Sequence, residues 1–159
     1  MSENPYAADL AGREPIAALA DAAATIERLA SRFGDAGWGR TYAPGKWTAR
    51  EILVHLAQIE MVFGVRVRYA VSTGGYVVQP FDQDPFMAVE GPAIDGPTAL
   101  AAFLALRAMN LQLFRSLSPE QLATRFMHPE RGEMTVLEIV AFLAGHDWRH
   151  VGQLKTIEA

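Results

Sequence analysis

The chain has 159 residues, of which 50% are hydrophobic and 20% are charged, and it contains no cysteine. This length corresponds to about one domain, so we expect a single domain over residues 1–159. The hydrophobic content argues against a disordered chain, and the lack of cysteine excludes a disulfide scaffold and a thiolate metal site. A formal net charge of −4, from 14 basic and 18 acidic residues, gives neither the basic surface of a nucleic-acid-binding protein nor a polybasic membrane patch.

The first ten residues lack a positively charged stretch followed by an apolar run, so we expect no secretory signal and a cytoplasmic protein. The most apolar window, Ala99–Leu106, is followed by Arg107, Asn110 and Gln112. It falls short of the roughly 18 apolar residues that a membrane-spanning helix requires. We therefore expect no membrane span.

The first two predicted elements are amphipathic helices with clear start signals. The first runs from about Glu14, with a proline in its first turn, to Phe33. The second begins at Thr48, whose hydroxyl can cap the Glu51 amide while the Glu51 carboxylate returns the bond. This capping role is favoured for Glu51 over that of a catalytic base. Apolar residues recur in steps of three and four up to about Ser72.

The segment Gly74–Gly96 is expected to be a long crossover between the second and third helices. It contains three prolines and looks extended only over residues 76–78. Loops of this length often form a lid or a wall of a binding site. A strap packed on the helices explains the segment equally well, and the sequence leaves both interpretations open.

Two further helices follow the crossover. The third runs from about Thr98 to Leu117, and a short helical turn covers residues 118–125. The last helix opens with a second capping box, Thr135 with Glu138, and extends close to the C-terminus. Four amphipathic helices, one long crossover and no convincing strand pattern predict an all-α four-helix bundle.

Three of the four histidines fall on apolar helix faces. His55 follows Ile52 by three residues and precedes Ile59 by four, so its ring points into the bundle. His146 and His150 are one turn apart on the last helix, a spacing at which two imidazoles can bind one ion. A buried ring without a partner costs about 1–3 kcal/mol, and one ion would satisfy all three. We predict a metal site at these three histidines, with rings bonded to core groups as the alternative.

Two glutamines lie one turn from the predicted ligands. Gln153 follows His150 by three residues, and Gln58 follows His55 by three. Either amide could orient a ligand or line a pocket. Each could equally be a solvated amide or a link between helices.

The remaining polar candidates are assigned other roles. Asp147 is rotated by about 100° from His146 around the helix, so it cannot easily share the same ion. It can instead orient a neighbouring ring or pair with an arginine such as Arg149. His128 precedes Pro129 in a predicted loop, and we expect it at the surface.

Two stretches of the sequence carry a family resemblance. WTAREILVHL at Trp47–Leu56, together with HDWRHVGQL at His146–Leu154, resembles the signature of the DinB-like superfamily, which includes the YfiT-like metal-dependent hydrolases. The resemblance extends over nearly the whole chain in helix order and spacing. It implies an up-down-down-up four-helix bundle, a homodimer, and a divalent metal, nickel or zinc, bound by His55, His146 and His150.

The resemblance also limits the chemistry. Characterised relatives include transferases and isomerases that use low-molecular-weight thiols such as bacillithiol or mycothiol. The leading hypothesis is a metal-dependent enzyme in which such a thiol, or water, attacks an electrophilic small molecule. Because the chain has no cysteine, the thiol would come from a small cofactor.

A rival hypothesis is a non-catalytic metal-binding or ligand-binding stress-response bundle. It is favoured by the lack of an obvious acid–base residue beside the predicted ligands. A direct role on DNA has no support in the acidic charge balance. Trp38, Trp148 and Met61-Val62-Phe63 could supply an apolar dimer interface, although core packing explains them equally well.

Overall fold

The computed structural model describes residues 4–158, in which four long helices are joined by short helices, one hairpin and loops. In chain order the elements are α1 (Ala7–Leu10), α2 (Pro15–Ala30), α3 (Gly34–Gly37), α4 (Ala49–Ser72), α5 (Gln83–Glu90), α6 (Gly96–Ser116), α7 (Pro119–Leu122), β1 (Arg125–His128), β2 (Gly132–Thr135) and α8 (Val136–Glu158). The long helices α2, α4, α6 and α8 form a four-helix bundle, which confirms the predicted fold class.

Both predicted capping boxes are present. The Thr48 hydroxyl accepts from the Glu51 amide at 3.2 Å, and the Glu51 carboxylate accepts from the Thr48 amide at 2.8 Å. Thr135 and Glu138 make the same pair of bonds at 3.2 and 2.6 Å. These bonds satisfy backbone donors that the first turn of a helix leaves free. They fix the starts of α4 and α8, the two helices that carry the predicted metal ligands, and they confirm Glu51 as a capping residue.

Helices α4 and α6 run parallel to each other. At the start of α4, Arg50 donates to the carbonyl of Ile94 just before α6, at 3.2 Å. Further along both helices, Arg68 donates to the side chain of Asn110 at 2.8 Å. Because parallel neighbours cannot be joined by a tight turn, the chain needs the long connection between residues 72 and 96, as predicted.

Helices α2 and α8 are also parallel. The Trp148 indole donates to the carbonyl of Ala18 near the start of α2 at 3.1 Å, and Arg32 just after α2 pairs with Glu158 at 2.6 Å. Phe63 of α4 stacks on Phe142 of α8 at 5.7 Å between ring centroids, whereas His55, earlier in α4, lies 5.1 Å from His150, later in α8. Helices α4 and α8 are therefore antiparallel, and the chain follows the up-down-down-up order.

The crossover contains structure that the sequence did not indicate. Helix α5 lies within it, and the Asp82 carboxylate caps this helix by accepting from the Asp84 amide at 3.1 Å. The extended residues are confirmed in part, because Val77 forms a parallel bridge with Met127 of β1. The crossover is therefore packed against the hairpin instead of being an open loop.

A two-stranded hairpin replaces part of the predicted helical turn. The turn ends at Leu122, and β1 pairs with β2 in antiparallel register, with Phe126 opposite Met134. The expectation of a chain without strands was wrong at this point. Each strand has only four residues, which is too short for an alternating pattern to stand out from the surrounding sequence. Gly132 opens β2 with a φ of +80°, a left-handed conformation that favours glycine.

The buried face of helix α6 combines apolar and polar side chains, since Phe103 and Leu111 are buried along with Arg107 and Asn110. Leu100, Leu104 and Leu106 are only partly buried, whereas Arg107 and Asn110 are 1% exposed. Among the helices in residues 4–158, α6 alone reaches the length and mean hydropathy of a membrane span, with 33% of that window buried. In the bundle, this mixed face points inward.

Arg107 links all four long helices. Its guanidinium donates to the Glu60 carboxylate of α4 at 2.5 Å, to Asp147 of α8 at 2.6 Å and to the Leu19 carbonyl of α2 at 2.9 Å. Asn110 adds a bond to Glu60 at 2.9 Å. Burial alone would lower the pKa of Arg107, but Asp147 and Glu60 outweigh this effect and raise it. The group therefore stays charged and fixes the helices relative to one another.

Replacing Arg107 with methionine should strongly destabilise the bundle. The change keeps much of the side-chain volume but leaves two buried carboxylates without their cation, a loss of about 3–5 kcal/mol in the free energy of unfolding. Urea unfolding measures the difference. The control is Arg125→Met, which breaks the exposed ion pair with Glu133 and should cost less than about 1 kcal/mol. Similar stabilities for the two variants would contradict this role for Arg107.

Candidate metal centre

Three histidine rings meet between α4 and α8. The Nε2 atoms of His55 and His146 are 3.0 Å apart, and those of His146 and His150 are 3.1 Å apart. The rings are 1 to 6% exposed, and their candidate ligand atoms all lie within 4.8 Å of one another. The predicted inward placement of these residues, hereafter the triad, is confirmed. Their role as metal ligands is taken up under the proposed function.

The opposite ring nitrogens have different neighbours. His150 Nδ1 is 2.7 Å from the amide oxygen of Gln153, and His146 Nδ1 is 3.6 Å from a carboxylate oxygen of Asp147. His55 Nδ1 is buried and has no hydrogen-bond partner among residues 4–158. Gln153 therefore contacts a triad ring, as the sequence suggested.

These neighbours favour particular positions for the ring protons. The Gln153 amide oxygen only accepts hydrogen bonds, so it favours a proton on Nδ1 of His150. The Asp147 carboxylate favours a proton on Nδ1 of His146 through its charge, since the two atoms are 3.6 Å apart and not hydrogen-bonded. The Nε2 atoms of these two rings then present lone pairs to each other at 3.1 Å. His55 can donate one proton to His146, but no proton remains for the contact between His146 and His150. A cation at the point where the three Nε2 atoms converge would satisfy all of them, so the donor set fits a metal ion.

Burial keeps two of the triad rings, His55 and His150, uncharged. Burial, together with the neighbouring imidazoles, lowers the pKa of His55 to about 2. Burial and the proximity of His146 lower the pKa of His150 to about 3. Neutral imidazole is the form that binds metals.

Negative charge lies directly behind the triad. Asp147 is fully buried, and Arg107 outweighs the effect of burial so that the pKa of Asp147 is lowered. With Glu60, two carboxylates surround one guanidinium, which leaves this cluster with a formal charge of −1. A buried negative charge next to His146 favours a cation at the triad.

Two cavities border the triad. The first cavity has a volume of about 400 Å³, is reached by His55 and His146, and has aromatic walls that include Phe63 and Phe142. The second cavity has a volume of about 370 Å³ and is reached by His146 and His150. The two cavities share Tyr6, Gln83 and His146 as lining residues, so they adjoin each other at the triad.

Two aromatic rings cover the triad. Neither ring was predicted to lie at the site. Trp47 lies 4.8 Å from the His55 ring, and Tyr6 meets the His146 ring edge-on at 5.3 Å, both measured between centroids. Gly145 permits this approach, because a Cβ there would collide with the Tyr6 backbone. Gly145, which precedes His146, was the sequence feature that indicated a close approach of another segment at this position. The location of Trp47 just before the cap of α4 was the feature that indicated its contact with His55.

Gln58 and Asp147 have contacts in the structure that differ from the predicted ones. Gln58 is buried and donates to Glu90 of α5 at 2.8 Å, so its role as a pocket residue stays a prediction without a contact to support it. Asp147 pairs with Arg107, whereas Arg149 pairs with Asp9 at 2.9 Å. A pair between Asp147 and an arginine was one of the expected roles and is confirmed, but the arginine is Arg107 of α6 and not Arg149.

His128 was expected at the surface, and this expectation was wrong. It ends β1, is only 7% exposed and lines the first cavity. The hairpin and the crossover cover this position. The sequence His128-Pro129 indicated only a loop, and it did not show that these two segments pack over it. Arg66 and Arg131, which line the same cavity, were also missed.

Comparison with known proteins identifies the family. The DinB superfamily model matches residues 18–154, most of the chain. The chain belongs to the DinB superfamily. A protein of Oceanobacillus iheyensis named as a putative metal-dependent hydrolase is 26% identical over 117 residues, covering 74% of this chain and 68% of the relative. The Bacillus subtilis protein YfiT, with the same kind of name, is 23% identical over 141 residues, covering 87% of this chain and 79% of YfiT.

Two solved structures share the fold. YfiT, described as a probable metal-dependent hydrolase with an unusual four-helix bundle topology, superposes with a TM-score of 0.82 at 21% identity, over 90% of this chain and 83% of YfiT. A mycothiol-dependent maleylpyruvate isomerase superposes with a TM-score of 0.74 at 16% identity, over 89% of this chain and 59% of the isomerase. These matches support the bundle topology derived above from the helix contacts.

The metal-free protein should lose stability as the pH falls below about 6.5. Histidines of the unfolded chain gain a proton near that pH, whereas folded His55 and His150 do so only near pH 2 and 3. The unfolded state therefore binds more protons in this window, and the free energy of unfolding falls by up to roughly 1.4 kcal/mol per pH unit for each histidine. Urea unfolding of chelator-treated protein between about pH 7.5 and about pH 5 measures the slope.

A His55→Gln/His150→Gln variant is the control for this slope. It lacks the two titrating rings and should show a shallower pH dependence than the wild type. Equal slopes would contradict the assignment of the acid sensitivity to these two rings.

Proposed function

We propose that this protein is a metal-dependent enzyme in which His55, His146 and His150 bind one divalent ion, nickel or zinc, through Nε2. The observation that carries the proposal is the convergence of three buried Nε2 atoms at 3.0 and 3.1 Å. Three protein ligands leave at least one coordination position open, which is typical of catalytic sites and not of structural ones. The relatives named as metal-dependent hydrolases support the same class of activity.

Residues of this chain would hold the ligands in position. Gln153 orients the His150 ring from its Nδ1 side, and Asp147, itself fixed by Arg107, faces Nδ1 of His146. Such contacts set the tautomer and increase the basicity of the ligand nitrogen. Trp47 and Tyr6 cover the rings and limit the access of water.

The proposed chemistry follows from the open coordination position of the ion, which would face the cavities. A divalent ion there would supply Lewis acidity, lowering the pKa of a water or thiol and polarising an electrophile. The two adjoining cavities offer room for a nucleophile and a substrate next to the triad. Because the chain has no cysteine, a thiol would come from a small cofactor such as bacillithiol or mycothiol. The likeness to a mycothiol-dependent isomerase supports this choice, which makes thiol transfer the leading reaction and hydrolysis the other.

A non-catalytic metal-binding bundle is the second candidate function. It is favoured because the nearby carboxylates are already engaged: Glu51 caps α4, and Asp147 pairs with Arg107. Neither is free to act as a general base. A homodimer and a small-molecule ligand, which the family implies, stay predictions in both cases.

A substrate screen on nickel-loaded and zinc-loaded protein tests the enzyme proposal. Electrophilic and hydrolysable small molecules are offered with and without bacillithiol, mycothiol or glutathione. We expect turnover that is abolished by His150→Ala while circular dichroism and thermal unfolding show a folded bundle. The control is Arg125→Ala, which changes an exposed residue of the hairpin outside both cavities and should leave the bound metal and the turnover unchanged.

The same screen distinguishes the nucleophiles. A change in the absorption spectrum of the nickel form on adding one thiol, with turnover only in its presence, would support thiol transfer. Turnover without any thiol would support hydrolysis. No turnover of any compound by metal-loaded protein, or undiminished turnover by His150→Ala, would contradict the enzyme proposal.

A further inference from the structure

Two arginines line the first cavity together with the triad residues His55 and His146. Arg66 comes from α4, and Arg131 lies in the turn between β1 and β2. No Asp or Glu side chain of residues 4–158 lies within 4 Å of either guanidinium. The proposed metal chemistry does not use these groups, and the bundle gives them no anionic partner in the described part of the chain.

Arg66 is buried without full satisfaction of its donors. It is 6% exposed, and its only hydrogen bond within residues 4–158 is from Nη2 to the Gln79 carbonyl at 2.7 Å. Its Nε is buried and has no partner there. Its guanidinium lies 5.2 Å from the centre of the Phe63 ring. A buried guanidinium with free donors at a cavity wall is expected to have an anion as its partner.

His128 adds a neutral donor to the same wall. Its Nδ1 accepts from the backbone amide of Glu130 at 3.2 Å, which places the ring proton on Nε2. That N–H has no acceptor among residues 4–158. A small adjoining cavity is lined by His128, Arg66 and Arg131 together, so the three groups are neighbours.

The charges and walls around these groups indicate the kind of anion. Arg66 and Arg131 contribute two positive charges, while Asp82 and Glu130 of the same cavity contribute two negative ones. Asp82 is engaged as the cap of α5, and Glu130 is exposed to solvent. The local charge therefore suits a monoanion better than a phosphate dianion. Phe63 and the other phenylalanines of the cavity suit an apolar body attached to that anion.

We propose that Arg66, Arg131 and His128 form a carboxylate-binding subsite, and that the ligand of the first cavity is a small organic monocarboxylate with an apolar body. An arginine fork matches the two oxygens of a carboxylate, and the histidine N–H can donate to one of them. Describing this ligand as the substrate rests on the proposed function. The binding site itself does not depend on a metal ion.

Binding of benzoate to chelator-treated protein tests the subsite, since a bound metal could otherwise capture the carboxylate. Isothermal titration calorimetry compares benzoate with the uncharged benzamide and with inorganic phosphate. We expect benzoate to bind more tightly than both. Arg66→Gln and Arg131→Gln should each weaken benzoate binding by about tenfold or more, because each removes a charge-assisted hydrogen bond. Arg125→Gln on the same hairpin is the matched control and should stay within about twofold of the wild type.

The variants also separate binding from folding. Arg131 is partly exposed on a turn, so Arg131→Gln tests the subsite even if the buried Arg66→Gln variant is unfolded by circular dichroism. Equal binding of benzoate and benzamide, preferential binding of phosphate, no binding of benzoate, or unchanged affinity in folded variants would overturn the proposal.

Repeating the titration after adding zinc or nickel distinguishes the two proposals. Arginine-dependent benzoate binding by a protein that takes up neither zinc nor nickel would support the subsite and refute the metal-dependent function. Zinc uptake without arginine-dependent benzoate binding would refute the subsite alone.

Discussion

Three imidazole nitrogens that face one another in a buried space impose the main constraint on this protein. Neutral rings can supply one proton between His55 and His146, but the neighbours of His146 and His150 favour protons on the far nitrogens of these two rings. Protonating the rings is opposed by burial, which lowers the pKa of His55 and of His150. The divalent ion that we propose would resolve this conflict, because it would accept all three lone pairs and because the adjacent cluster of carboxylates and arginine has a net negative charge.

The bundle holds these rings together through buried polar bonds as well as apolar packing. Arg107 of α6 joins α4, α8 and α2, and one of its partners, Asp147, also faces the His146 ring. A chain of contacts therefore runs from the centre of the bundle to the triad, in which Asp147 is hydrogen-bonded to Arg107 and its other carboxylate oxygen lies 3.6 Å from His146 Nδ1, beyond hydrogen-bond distance. Removing one residue from this chain of contacts leaves an unpaired buried charge. The contribution of that residue to stability therefore cannot be separated from its contribution to the site in the native protein. The first cavity adds cationic groups, Arg66 and Arg131, at the side from which small molecules reach the triad.

Local signals made the helices and the triad predictable. Capping boxes involve residues three apart, and the positions of His55, His146 and His150 follow from steps of three and four along one helix, so the sequence contains the whole pattern. The missed features depend on distant partners. Arg107 is buried because carboxylates from two other helices meet it, and His128 is buried because the hairpin and the crossover pack over it. Helix α5 and the strands are too short for periodicity to reveal.

Elemental mass spectrometry of untagged protein, purified without added metal, tests the central claim most directly. The wild type is compared with a His146→Ala/His150→Ala variant whose folding is verified by circular dichroism and thermal unfolding. The account predicts about one nickel or zinc ion per chain in the wild type and none in the folded variant. A wild-type protein that binds no ion even after zinc or nickel is added at neutral pH, or a variant that retains the same ion content, would contradict it.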